Sequence, residues 1–269
     1  MVRVPVVESG DASLWWESRG ENDPPLLLIQ GLGYTADMWH RILPALAASR
    51  RVISFDNRGV GRSSLPEPPW TVEQFADDAI AVLDAAGVTK AHVFGVSMGG
   101  LIAQEVALRH PDRVLSLILG CTHPGGREAA RMGPEAAAML MDRSPKSPRE
   151  AVEASLPFIY SASTSQSAID EDVEVRLRYP LRGKAYWGQL DAMRTHRGTF
   201  DRLGDITART LVLHGDADRL VQPANATLIA DAIPGARLHW LPGASHVFWT
   251  DQPDATVAAV DEFLNRGGR

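Results

Sequence analysis

The stretch Ala91-His-Val-Phe-Gly95-Val-Ser97-Met-Gly99-Gly100 decides the fold. Ala91–Gly95 is an apolar run too short for a helix, so it reads as a buried strand. Met98–Arg109 reads as a helix that stops before Pro111. The residues between them, Gly95-Val96-Ser97-Met98-Gly99, match Gly-x-Ser-x-Gly, and a strand-to-helix turn is the context that pattern requires. A turn this tight holds its central residue with strained backbone angles and demands small neighbours two before and two after. Ser97 then stands at a helix N-terminus, where free N–H groups and the dipole favour negative charge. The competing reading is a glycine-rich packing turn.

Working outward, the first half alternates strands and helices. Arg3–Glu8 and Ser13–Ser18 are short strands around the turn Ser9-Gly10-Asp11. Leu26–Ile29 and Arg51–Asp56 are buried strands, and Val114–Gly120 is another. Thr35–Ala48 has helical spacing at Met38, Trp39, Ile42 and Leu46. Thr71–Ala86 opens on a capping threonine and ends at Gly87, with one apolar stripe through Val72, Phe75, Ala79, Val82 and Leu83. The order predicts an α/β fold: a mostly parallel sheet with helices on both faces. Loops at the strand C-terminal edge are where ligands bind in such sheets.

After Thr122 the character changes. The chain to about Thr199 is rich in Ala, Met and Arg and has no clear buried strand. Helices are expected at Pro134–Asp142, Pro148–Ile159, Ile169–Tyr179 and Lys184–His196, with breaks at Ser144–Pro148 and Ser161–Ser167. The α/β signal resumes with strands at Thr210–His214 and Arg237–Leu241 and helices at Asn225–Ala232 and Asp254–Leu264. The expected organisation is a core of residues 1–121 and 201–269, with 122–200 inserted as a helical cap.

Composition narrows the function classes. The 269 residues are 45% hydrophobic and 22% charged, enough apolar content for a sizeable core and against disorder. Lys plus Arg number 27 against 33 Asp plus Glu, a net charge of −6, which lacks the basic footprint of a nucleic-acid binder. The single cysteine, Cys121, allows neither an intramolecular disulfide nor a CxxC metal or redox site, and reads as a packed thiol. No apolar run approaches the roughly 20 residues that span a bilayer, and no signal-peptide stretch opens the chain. A cytoplasmic protein needing no metal or cofactor, and no membrane or nucleic-acid partner, is expected.

A serine nucleophile needs a base, and the base an orienting acid. The late strand ending at His214 leads into Gly215-Asp216-Ala217-Asp218, and the last strand into Pro242-Gly243-Ala244-Ser245-His246. Both aspartates qualify by position, and the chain order is nucleophile, acid, base.

That order resembles the α/β-hydrolase superfamily, and the resemblance covers most of the chain. It includes Leu28-Ile29-Gln30-Gly31-Leu32-Gly33 after the early strand and Asp56-Asn57-Arg58-Gly59-Val60-Gly61-Arg62-Ser63, like the family's Asp-x-Arg-Gly-x-Gly-x-Ser turn. It also includes the Ser97 elbow and the two late loops. Among members it is similar to small bacterial esterases and lactonases of the 3-oxoadipate enol-lactonase kind, and to cofactor-free perhydrolases.

The resemblance implies Asp218 as the acid, because Gly215-x-x-Asp218 followed by an apolar pair and Pro fits the family pattern; Asp216 then braces the turn. It implies the backbone N–H groups of Leu32 and Met98 as the oxyanion hole, with Gln30-Gly31 where the family often has His-Gly. The implied catalytic set is Ser97, Asp218 and His246, acting on a small-molecule ester or lactone. His214 reads as structural, and Asp56 and Arg58 as loop braces. Tyr34, Phe158, Tyr186, Trp187, Val247 and Phe248 are candidates to line the pocket. No spaced basic cluster marks a carboxylate site, so a moderately apolar, uncharged acyl group is expected. Alternatives on the same triad are a carbon–carbon hydrolase of dienoate ring-cleavage products and a perhydrolase. From a different class, a catalytically silent ligand receptor has this fold.

Overall fold

The computed structural model describes residues 5–144 and 146–266. Its strands are β1 (Val6–Ser9), β2 (Ala12–Arg19), β3 (Leu26–Ile29), β4 (Val52–Phe55), β5 (Ala91–Val96), β6 (Val114–Gly120), β7 (Arg209–Gly215) and β8 (Arg237–Leu241). They form one sheet in the order β1-β2-β4-β3-β5-β6-β7-β8. The β1–β2 hairpin is antiparallel and joins β4 antiparallel; every pairing from β4 to β8 is parallel. Of the strand expected at Arg3–Glu8, Arg3 and Val4 lie outside the described residues, as does Pro145 in the expected break; among the described residues the strand runs Val6–Ser9.

Strands β3, β4 and β5 are buried along their whole length, as continuous apolar runs covered on both faces require. Side chains alternate between two cores. Leu27 and Ile29 face a layer containing helices Val72–Ala85, Met98–Arg109 and Ala224–Ala232. Leu26 and Leu28 face helices Leu43–Ser49, Phe248–Asp251 and Pro253–Asn265. Thr71 caps the first helix with a reciprocal box: its Oγ1 accepts from Gln74 N–H at 3.2 Å and Gln74 Oε1 accepts from Thr71 N–H at 2.9 Å. Such a cap is worth about 1 kcal/mol.

Two expected helices divide. Thr35–Ala48 becomes a short 3-10 turn at Ala36–Trp39 followed by helix Leu43–Ser49. Pro44 is the reason: its ring is tolerated in a first turn, where it sits, and not in the interior of one long helix. Pro148–Ile159 likewise splits into Pro148–Glu153 and Leu156–Ile159, with Pro157 in the second first turn.

Between β6 and β7 the described residues form only helices and loops, with further helices at Pro134–Met141, Gln166–Leu177 and Gly183–Thr195. Register sets the rest. Ile29, Gly95, Leu119 and Val212 stand side by side across β3, β5, β6 and β7. Gly215 pairs with Leu241 at the ends of β7 and β8. The loops that leave these strands therefore emerge along one edge.

Candidate active site

Ser97 lies between β5 and its helix at φ 55° and ψ −122°, a conformation rare for a residue with a side chain. Surrounding contacts over-determine it. Ser97 N–H donates to Gly120 C=O at 2.9 Å, and Thr122 Oγ1 donates to Ser97 C=O at 2.6 Å. A Cβ on Gly95 would fall 2.1 Å from Gly99 O, and one on Gly99 would fall 2.2 Å from Ile29 O. Strand, helix and neighbouring strand thus approach so closely that only glycine fits at either place.

His246 arrives on the loop after β8, with Nδ1 2.8 Å from Asp218 Oδ2. Asp218 follows β7, and Leu220 and Val221 N–H donate to its Oδ1 at 2.8 and 2.9 Å. His214 approaches the same Oδ2 with Nε2 at 3.2 Å and also reaches Val221 C=O at 3.1 Å. Both partners are acceptors, which assigns the His214 proton to Nε2. Asp216 is used otherwise: its Oδ1 accepts from Gly243 N–H at 2.6 Å and braces the turn before His246.

Asp218 and His246 are 3% and 4% exposed, so their charges are coupled with little screening. Burial alone pushes the Asp218 carboxyl up, but the His246 charge and hydrogen bonds from His214 and His246 win and hold it at about 2. Burial alone pushes His246 down, but the Asp218 carboxylate outweighs it and raises the imidazole well above its ordinary value. Burial pushes the Cys121 thiol up, so it remains a neutral packed group.

The loop after β3 closes against the serine. A Cβ on Gly31 would lie 2.9 Å from Ser97 Cβ and 3.4 Å from its Oγ. Three contacts fix this loop, and a fourth anchors one of its partners. Gly31 N–H donates to Gln30 Oε1 at 3.3 Å, and Asn57 Nδ2 donates to Gln30 C=O at 3.0 Å. Gly33 N–H donates to Gln189 Oε1 at 2.8 Å, and Gln189 Nε2 donates in turn to Arg58 C=O at 3.1 Å. Gln189 is fully buried and belongs to helix Gly183–Thr195, so this clamp comes from the helices that follow β6. Asp56 and Arg58 brace loops: Asp56 accepts from Ala36 N–H and Arg62, and Arg58 forms a two-pronged pair with Asp78 at 2.7 and 2.8 Å.

Ser97, His246 and the loop from Gln30 to Tyr34 share a cavity of about 440 Å³. Of the sequence candidates, Leu32, Tyr34, Tyr186 and Trp187 line it. Phe158, Val247 and Phe248 do not. Val247 and Phe248 are fully buried in the core beneath, because the chain turns into helix Phe248–Asp251 straight after His246; Phe158 packs on the same core. Met98 is buried as well, with its side chain in the core.

Other residues contribute that no sequence motif marks. Trp249, Ile159, Met139, Arg143 and Arg176 line the cavity. Asp251 accepts from Ser245 N–H at 2.6 Å and from Thr164 Oγ1 at 2.5 Å, tying the His246 loop to the helical segment. A helix-and-aromatic pattern signals none of these in one dimension.

Known proteins place this architecture. A family model described as the alpha/beta hydrolase fold matches residues 24–252. RutD of Azorhizobium caulinodans, whose name describes a carbamate hydrolase, is 33% identical over 257 residues, 93% of this chain and 94% of that protein. Rhodomycin D methylesterase DauP of Streptomyces sp. (strain C5) is 32% identical, covering 90% and 93%. The crystal structure of the enol-lactonase from Burkholderia xenovorans LB400 superimposes with a TM-score of 0.83 at 28% identity, covering 97% of this chain and all of that one. The match to the family model over most of the chain, joined to the sheet order and the Ser97 elbow, establishes that the chain belongs to the α/β-hydrolase fold family.

Proposed function

We propose that the protein is a serine hydrolase that cleaves a carboxylic ester or lactone of a small molecule through an acyl-enzyme. The observation that carries the reading is the pairing of a nucleophile-bearing elbow, Ser97 at φ 55°, with the His246–Asp218 contact of 2.8 Å across one cavity. His246 removes the Ser97 proton as Oγ bonds to the carbonyl carbon, and the carbonyl π pair moves onto oxygen. The N–H groups of Leu32 and Met98 receive that oxyanion; among the described residues neither N–H donates to another protein group. The oxyanion collapses, the bond to the alcohol oxygen breaks, and His246 delivers its proton to that oxygen. Water repeats the sequence on the acyl-enzyme, releasing the acid and restoring Ser97. Asp218 holds the imidazole in the useful tautomer and stabilises its cation.

Residues 122–200 serve in this reading as a helical cap over the sheet edge, supplying the Gln189 clamp and the outer cavity wall. The proposed enzyme is a cytoplasmic one acting on a dissolved substrate; no described helix is long and apolar enough to cross a membrane. The names of the methylesterase and enol-lactonase relatives support ester or lactone chemistry. The RutD name keeps a carbamate, with the same acyl-transfer chemistry, as the second reading. A panel of p-nitrophenyl esters, lactones and carbamates, with Ser97→Ala as control, separates them. Ser97-dependent turnover of esters or lactones supports the proposal. Turnover confined to carbamates, or to a coloured dienolate, replaces it, and binding with no turnover of any class points to a silent receptor.

A further inference from the structure

Arginines that sink into this protein usually meet an acid. Arg58 pairs with Asp78, Arg62 with Asp56, Arg41 with Asp172 and Arg202 with Glu105. Two arginines on the cavity wall, half-buried Arg176 and exposed Arg143, do not. Among the described residues, no carboxylate pairs with Arg176 or Arg143, although both line the space that Ser97 and His246 open into.

Each guanidinium is instead supported from behind by an aromatic ring. The Arg176 guanidinium carbon lies 4.7 Å from the centre of the Tyr34 ring, and that of Arg143 lies 3.9 Å from the centre of the Trp187 ring. Ser155 Oγ takes one N–H of Arg176 at 3.1 Å, which leaves the other edges of its planar fork without a protein acceptor among the described residues. The cavity's one lining carboxylate, Asp142, is already engaged by Lys146 and by the N–H and hydroxyl of Ser144. The wall therefore carries two uncompensated positive charges.

A guanidinium stays charged at any working pH, and its fork matches the two oxygens of a carboxylate. Arg176, half-buried against its ring and short of acceptors, gains most from an anion that brings its own oxygens; Arg143 is the exposed one of the two. We propose that Arg176, with Arg143 farther out on the wall, forms an anion subsite that selects substrates carrying a carboxylate remote from the scissile bond. This deepens the ester or lactone reading and rests on it. It also departs from the uncharged acyl group expected from sequence, where the separation of Tyr34, Arg143 and Arg176 along the chain hides their meeting.

The test uses the intact protein and matched ester pairs. One pair is mono-p-nitrophenyl adipate and its neutral methyl ester, with the charge on the acyl side. The other is 4-carboxyphenyl butyrate and its methyl ester, with the charge on the alcohol side. The readout is the anionic-to-neutral ratio of kcat/KM. In at least one pair the native ratio is expected to be tenfold or more above that of Arg176→Met, chiefly through KM. Arg176→Lys retains part of the preference, Arg176→Glu inverts it, and rising salt erodes it in the native enzyme. The salt series and the lysine variant still decide the matter if Arg176→Met does not fold. A ratio that is the same in both proteins for both pairs, and insensitive to salt, overturns the subsite. Ser97-dependent turnover without that preference sinks the subsite alone, whereas absence of both turnover and Ser97 labelling by a phosphonate sinks the underlying reading as well.

Discussion

Asp218 stands behind His246, Arg176 lines the cavity that His246 opens into, and their surroundings differ in kind. Each oxygen of Asp218 meets two N–H groups, supplied by Leu220, Val221, His214 and His246. Arg176 gives one N–H to Ser155 and leaves most of its fork without a protein partner. The difference extends to the regions that carry them. Strand β7 is buried at six of its seven residues, whereas helix Gln166–Leu177, which carries Arg176, buries three of its twelve and the neighbouring helix Pro148–Glu153 buries nothing. A saturated, buried polar network is rigid and holds one geometry. A sparsely buried region with open donors tolerates change and is finished by its ligand. The sheet edge is thus suited to chemistry that requires fixed positions, and the helical segment to selecting what is presented to it.

The largest effect that sharpens this contrast comes from Asp218→Asn. The side-chain shape is kept while the charge that orients and raises His246 is lost, and kcat is expected to fall by about 10⁴-fold. The pH profile checks the same pair. His246 acts when neutral, so kcat/KM falls as pH drops through its pKa. Asp218 lifts that midpoint above the ordinary 6.5 of histidine. A midpoint at or below 6.5 would contradict the coupling.

Next comes a pair of ion-pair deletions read by denaturant unfolding. Arg58→Ala leaves Asp78, which is fully buried, without its cation and is expected to cost about 3–5 kcal/mol. Arg149→Ala, on the exposed helix Pro148–Glu153, breaks a solvent-screened contact with Glu174 and is expected to leave the unfolding midpoint nearly unchanged. Equal costs would erase the distinction between the two regions.

The smallest effect probes their junction. Gln189→Ala removes both the acceptor for Gly33 N–H and the donor to Arg58 C=O, loosening the loop that carries the Leu32 N–H. A loss of about 10- to 100-fold in kcat is expected, from misplacing one oxyanion donor, with KM changing less. Steady-state kinetics that show a rise in KM alone would assign Gln189 to substrate binding instead.

What the sequence disclosed follows the same division. The elbow, the Asp216–Asp218 loop and the His246 loop are legible because each is local: a buried strand, a turn and a short string of residues whose spacing is fixed by sterics. Gly95 and Gly99 are visible for that reason, since no other residue fits. Val247 and Phe248 belong to the core and not to the cavity, because adjacency to His246 in the chain does not fix direction and the short helix at Phe248 turns both inward. Tyr34, Arg143, Gln189 and Arg176 come from four separate segments, and their convergence depends on how the helices lie over the sheet edge. Asp251 was equally hidden, since a carboxylate in a short helix looks like solvent-facing decoration until Ser245 and Thr164 are found against it.

The central claim is that Ser97 is the nucleophile and that His246 activates it. Intact-protein and peptide mass spectrometry after exposure to a p-nitrophenyl phosphonate tests it most directly. The account predicts one adduct per chain, carried by the peptide containing Ser97, absent from Ser97→Ala and slowed by at least about 10³-fold in His246→Ala. Full labelling of Ser97→Ala, or an adduct on any other residue, would contradict it.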